Sequence, residues 1–299
     1  MSSFIIEGKH RLHGEIQVGG NKNAALPMIA AALLTDEPVI IHNVPHIRDV
    51  EAMLDLAVTV GADVSFTANT ATIRARRFRT TLLPQQLCSR LRTSLLLAAP
   101  LLVRCGQVEL WPPGGDVIGR RRLDGHFYGL KSLGAVIAAD GLPFRMTADG
   151  RLRGADLFLD EAGVTATEQL MIAAVTAAGI TIIRNAASEP HVANLAELLL
   201  RMGADISGIG SNTLTSRGVD RLHGAECRIM GDHIEAGSYL ALAAATGSEL
   251  TVRGIEPQHF RMTRRIFERL GLSLIIEADR IVIPGGQHPI VGKDFGNAI

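Results

Sequence analysis

A chain of 299 residues that is 47% hydrophobic is long enough for a large core and for two domains. Its 30 basic and 30 acidic side chains cancel, which leaves no global field to hold nucleic acid or an anionic membrane, and 4% aromatic content argues against base-stacking surfaces. Any anion site must be a local cluster.

Cys88, Cys105 and Cys227 form no CxxC pair and cannot all be bridged, which fits a reducing cytoplasm. The opening MSSFIIEGKHRLHGEIQV carries an acid and a short alternation where a signal peptide needs a basic end and an unbroken apolar run. No segment reaches the ~18 consecutive apolar residues of a membrane span. The apolar runs Ala24 to Leu34 and Leu95 to Val103 are therefore expected to be buried helices.

In chain order the same signals return four times: an apolar helix, a β-branched strand, a turn with Asn or Pro, an amphipathic helix, then a glycine and another strand. The first copy predicts helices over Asn23 to Leu34 and Asp49 to Val60, separated by VIIHNVP. The second predicts Ser89 to Val103 and His126 to Leu133, and the third Thr167 to Ala177 and Val192 to Met202. In the fourth, Ile234 to Ala245 and Arg261 to Leu270 flank LTVRGIEP. The marker glycines Gly61, Gly134, Gly203 and Gly271 recur at roughly 70 residues, about the length of a small βαβαββ unit, and sit where left-handed helix caps belong. Alanine-rich first helices such as NAALPMIAAALL are apolar nearly all round and must lie inside. The strings VSFTANTATIRA and IVIPGG read as edge hairpins.

Chemistry concentrates in WPPGGDVIGRRRLDGHFYGLKSLG, Trp111 to Gly134, where two prolines and two glycines precede Asp116 and the run Arg120, Arg121 and Arg122. A carboxyl beside fixed positive charge on a loop able to close suits proton transfer to an anionic substrate. The ordinary alternative is a solvated turn whose acid and arginines pair among themselves. Lys22 and Asn23 precede an apolar helix, where a lysine adds its charge to free backbone N–H groups and makes a phosphate site. A solvated lysine with a capping Asn is the plainer reading. No P-loop, dinucleotide fingerprint or His-Glu-x-x-His pattern occurs, and the ten histidines are scattered, so no cofactor and no metal are expected.

Three segments, GGNKNAALPMIAAALLTDEPVIIHNVPHIRDV, SRLRTSLLLAAPLLVRCGQVELWPPGGDVIGRRRLDGH and ATEQLMIAAVTAAGITIIRNAASEPHVANLAELLLRMGADI, resemble the UDP-N-acetylglucosamine 1-carboxyvinyltransferases of the enolpyruvyl transferase family. The resemblance runs from Phe4 to about Ile283. It implies an inside-out α/β barrel of repeated βαβαββ units, helices inside and sheets outside. Residues 20–229 would form a complete three-unit domain carrying the catalytic loop 111–126. Residues 1–19 and 230–299 would form part of a second domain, a single unit plus the N-terminal strand. Two of the family's six units would then be lacking at the C-terminal side, and the apolar face left uncovered predicts self-association.

The implied reaction transfers the enolpyruvyl group of phosphoenolpyruvate to the 3-hydroxyl of UDP-N-acetylglucosamine in peptidoglycan precursor synthesis in the cytoplasm. By resemblance Asp116 is the acid that protonates the methylene carbon, at a position where many members carry cysteine. Lys22 and Asn23 fall on the phosphoenolpyruvate-binding pair, Arg92 and Arg121 on arginines that contact the phosphates and the sugar nucleotide, and Asp124 on the uridine-contacting acid. His126 is a neighbour that could be structural. Val164 falls in the diphosphate-binding segment, where Glu161 replaces a family lysine. Glu161 would repel a diphosphate unless one of Arg120 to Arg122 compensates. Two other readings stand beside this one: a catalytically incomplete relative that binds sugar nucleotide or assembles without turnover, and an RNA terminal phosphate cyclase built of similar units, against which the neutral charge speaks.

Overall fold

The computed structural model describes residues 3–8, 10–115, 119, 122–138 and 141–290. The chain divides into two compact units, one of Lys22–Ile229 and one of Met1–Asn21 with Met230–Ile299.

Lys22–Ile229 holds three sheets. In the first, Ala225–Arg228 runs parallel to Val39–His42, which is followed by Thr70–Arg74 and Asp63–Thr67, both pairings antiparallel. In the second, Asp156–Phe158 is parallel to Ile180–Arg184, with Thr213–Arg217 and Asp205–Ser207 beyond it. The third has Gln107–Leu110, Phe144–Thr147 and Val136–Ile137, and its parallel neighbour shrinks to one bridge between Leu82 and Glu109. The β-branched strands turn alternate residues inward, as in Val39–His42, where Val39 and Ile41 are buried. Among the described residues no strand pairing joins these sheets, so the expected barrel is not a closed hydrogen-bonded one.

The helices Lys22–Ala31, Ala98–Cys105 and Val164–Ala174 fill the interior, with Lys22–Ala31 and Ala98–Cys105 each packed on Val164–Ala174. Residues 24–31 and 166–174 are buried without a break; the first stretch is apolar all round, whereas the second also encloses Thr167, Glu168 and Gln169. The amphipathic helices Arg48–Val60, Asp124–Ser132 and Pro190–Arg201 present one face to that core. Gly129 lets Asp124–Ser132 approach Val164–Ala174: a Cβ there would lie 2.3 Å from Leu170 Cδ2. The four marker glycines all take left-handed backbone after the helices they end.

Two expectations are corrected. Ser89 to Val103 is not one helix; it breaks into a 3₁₀ segment, Arg92–Leu97, and the α-helix Ala98–Cys105. Pro100 has no N–H to give and falls in the first turn of the α-helix, where that N–H would have no intrahelical partner. Thr70–Arg74 and Arg280–Ile283, read as edge hairpin strands, are interior, because each pairs on both sides.

The second unit has one sheet, ordered His13–Gln17, Glu249–Arg253, Arg280–Ile283 and Ile275–Ile276. Its helix His233–Thr246 is capped by Asp232, whose carboxylate accepts from the backbone N–H of Ile234 and Glu235. That helix buries Ala236, Leu240, Ala243 and Ala244, while Ile234 and Leu242 remain 53% and 45% exposed.

Candidate active site

Several charged residues of Lys22–Ile229 line two adjoining cavities that share Arg92 and Thr165. The first, of about 290 Å³, is lined by Lys22, Asn23, Asp49, Arg90, Arg92, Thr93, Gly115, Val164, Thr165, Glu168 and His191, among others. Lys22 is the first residue of its helix, so its ammonium joins the unpaired N–H groups of that turn. Asp49, in the first turn of Arg48–Val60, holds Lys22 Nζ at 3.1 Å. Both partners are about two-fifths exposed, so the pair positions the lysine more than it stabilises the fold.

Gly114 closes the base of the loop against this cavity. Its N–H donates to Cys88 O at 2.9 Å, and a Cβ there would lie 1.7 Å from Ser89 O. Only glycine permits that approach, which brings the WPPGG turn beside Arg90 and Arg92. Asp116 and Arg121 lie outside the described residues. Gly115 before them lines the first cavity, and Arg122 after them lines the second.

The second cavity, of about 280 Å³, is bounded by Arg92, Arg122, Gly125, His126, Glu161, Gly163, Thr165 and Ala166. Arg92 and Thr165 belong to both. Arg92 also donates from Nη2 to Arg122 O at 2.9 Å, tying the 3₁₀ segment to the end of the loop. Arg92 and Arg122 line this cavity together with Glu161, the acid of the diphosphate segment.

His126 is buried in a completed chain of hydrogen bonds. Gln169 Nε2 donates to Leu95 O at 2.7 Å, which turns Gln169 Oε1 toward His126 Nδ1 at 2.8 Å. Nδ1 must then carry the proton, and Nε2 accepts from the Thr165 hydroxyl at 3.1 Å. Burial, followed by the Arg92 charge and against the pull of the Gln169 bond, lowers the imidazole to about 4. His126 is thus a neutral scaffold group that orients Thr165 between the cavities.

Glu168 contrasts with it. Its side chain is 1% exposed, and Oε1 has no hydrogen-bond partner among the described residues. Burial, then the like charge of Glu189, raises its carboxyl well above the usual range.

Of the residues singled out in the sequence, Lys22, Asn23, Arg92 and Val164 are brought together at the first cavity. Asp124 is not with them: it forms an ion pair with Arg122, stays 60% exposed and lines neither cavity. Its carboxylate is drawn to the adjacent guanidinium at the surface. Sequence reasoning missed Asp49, Arg90, Glu168 and His191. The available signal for Glu168 was an ionisable residue inside ATEQLMIAA, an otherwise mostly apolar helix. Among the described residues no group of three or more His, Cys, Asp or Glu could hold a metal ion, and no helix is long and apolar enough to cross a membrane.

The model of the EPSP synthase (3-phosphoshikimate 1-carboxyvinyltransferase) family matches residues 6–295. The UDP-N-acetylglucosamine 1-carboxyvinyltransferase of Bradyrhizobium diazoefficiens is 52% identical over 298 residues, which are 99% of this chain and 68% of that protein. That of Borreliella burgdorferi is 46% identical, over 100% of this chain and 70% of its own length. Among solved structures, the enolpyruvyl transferase NikO from Streptomyces tendae superposes with a TM-score of 0.81 at 21% identity, covering 93% of this chain and 67% of that one. An EPSP synthase from Acinetobacter baumannii gives 0.73 at 18% identity, covering 94% and 66%. With the family model spanning nearly all of the sequence and such relatives beside it, this chain belongs to the EPSP synthase family.

Proposed function

We propose that this protein transfers the enolpyruvyl group of phosphoenolpyruvate to the 3-hydroxyl of UDP-N-acetylglucosamine, releasing phosphate, in peptidoglycan precursor synthesis. The observation that carries the reading is the pair of adjoining cavities that share Arg92, one holding Lys22 and Asn23, the other Arg92 and Arg122. Phosphoenolpyruvate, small and multiply anionic, suits the first cavity, where Lys22, Arg90 and Arg92 supply cations. The sugar diphosphate suits the second, which is lined by Arg92 and Arg122.

In the addition step Asp116 gives a proton to the methylene carbon while the acceptor oxygen bonds to the central carbon and loses its proton to a base. Elimination then removes a proton from the new methyl group and expels phosphate, restoring the double bond. Cations fixed beforehand around the phosphate stabilise charge as it gathers on the leaving group. Arg121, two residues past Gly119 in the same loop, would add to that field.

The same reading takes Lys22–Ile229, with its three sheets, as the complete three-unit domain, and the remainder as part of a second. It places the reaction in the cytoplasm and gives the exposed Ile234 and Leu242 a role in self-association. Phosphate release from phosphoenolpyruvate, with and without UDP-N-acetylglucosamine, tests the reaction. Release that needs the sugar nucleotide and drops ~100-fold or more in Asp116→Asn supports it. Ligand-induced thermal stabilisation without any release would favour a binding protein that does not turn over.

A further inference from the structure

Glu168 has no place in the reaction as described, yet it lies in the wall of the cavity assigned to phosphoenolpyruvate. Lys22, a cation of the same wall, is engaged by Asp49. A carboxylate buried without a partner would be expelled or protonated. A neutral carboxylic acid keeps one O–H donor and can face an anion that a carboxylate would repel. The charged and titratable groups lining the same cavity are Lys22 from its own helix, Asp49 from Arg48–Val60, Arg90 and Arg92 from the 3₁₀ segment and its approach, and His191 from Pro190–Arg201. Glu189, just before that last helix, adds like charge, and His126 faces the second cavity.

We propose that Glu168 is a further substrate-binding residue of this cavity, its carboxyl O–H donating a hydrogen bond to an oxygen of the bound phosphoenolpyruvate anion. The inference rests on the assignment of the first cavity to phosphoenolpyruvate. It gives a role to an acid that is enclosed in the cavity wall. The affinity for a dianion then falls as pH rises and Glu168 ionises, because a donor is replaced by a second negative charge.

Calorimetric titration of the 299-residue chain with phosphoenolpyruvate and with inorganic phosphate, from pH 5.5 to 9.5, tests this on wild type, Glu168→Gln and Glu168→Leu. Glutamine keeps a donor and does not titrate. The ratio of wild-type to Glu168→Gln affinity cancels the ionisation of the ligands and of the other cavity groups, and it is expected to fall as pH rises. Glu168→Leu, which has no donor, is expected to weaken both anions about 10- to 100-fold at pH 6 while its thermal midpoint rises, since an unpartnered polar group has been replaced by an apolar one. A ratio that stays flat, or a Glu168→Leu variant that binds like wild type, overturns the inference. Phosphate binding that follows the expected pattern without any phosphoenolpyruvate binding keeps the role of Glu168 and overturns the substrate reading. Wild type that binds neither anion overturns both.

Discussion

The two cavities that meet at Arg92 are walled by one helix, Val164–Ala174, and each contains a buried ionisable side chain. In the second, His126 has both ring nitrogens engaged, by Gln169 and Thr165, in a chain that ends on the Leu95 carbonyl. In the first, Glu168 Oε1 has no such partner among the described residues. The difference separates scaffold from site. A buried polar group whose bonds are completed within the protein rigidifies its surroundings, whereas one left open costs stability that only a ligand can return.

Removing the residue common to both cavities should have the largest effect. Arg92→Ala takes a guanidinium from both walls and frees the Arg122 carbonyl it holds. We expect kcat/KM to fall ~100-fold or more for each substrate, the loss of a charge-assisted contact in a shielded site. If only one substrate were affected, the cavities would not be joined through Arg92.

A smaller effect separates the two buried groups by pH. His126 has its folded value lowered from 6.5 to about 4, so the stability it contributes is present above 6.5 and lost as pH falls toward 4. Glu168 has its value raised, so its contribution is fully present below 4.5 and lost as pH rises through the folded value. The two slopes oppose one another between 4.5 and 6.5. Urea unfolding at pH 7, 5.5 and 4.5 should show His126→Asn without an acid-side loss of up to about 3 kcal/mol, and Glu168→Gln with a steeper loss than wild type. Equal slopes in all three proteins would mean that neither group is buried as described.

Much of this was readable from residue types. The all-apolar runs are buried helices, the β-branched runs are strands, and Lys22, Asn23, Arg92 and Val164 share a cavity. Local pattern did not reveal what depends on distant partners. Glu168 is separated from Lys22 by 146 positions and from Arg92 by 76, and nothing in ATEQLMIAA says which wall it enters. Asp49 is an acid in a first helical turn, and only the fold brings Lys22 beside it. Asp124 stands apart from Lys22, Asn23, Arg92 and Val164 because its carboxylate pairs with the exposed guanidinium of Arg122, a partner only two residues away that resemblance does not reveal. The helix expected over Ser89 to Val103 is instead a 3₁₀ segment followed by an α-helix with Pro100 in its first turn.

The apolar helices show the same dependence on distant parts. Lys22–Ala31 and His233–Thr246 are similar in composition, yet the first is buried throughout from Ala24 and the second leaves Ile234 and Leu242 in solvent. Hydrophobicity says that a helix should be covered, and the number of sheets available decides whether it is.

Protection of Lys22 from chemical labelling tests the location of the chemistry most directly. Its side chain is 44% exposed, so an amine-reactive reagent reaches it in the free protein, and mass spectrometry reads the rate. With phosphoenolpyruvate and UDP-N-acetylglucosamine both present, labelling of Lys22 should slow about tenfold or more while exposed Lys131 reacts as before. Unchanged labelling of Lys22 under saturating substrates would contradict the placement of phosphoenolpyruvate in this cavity.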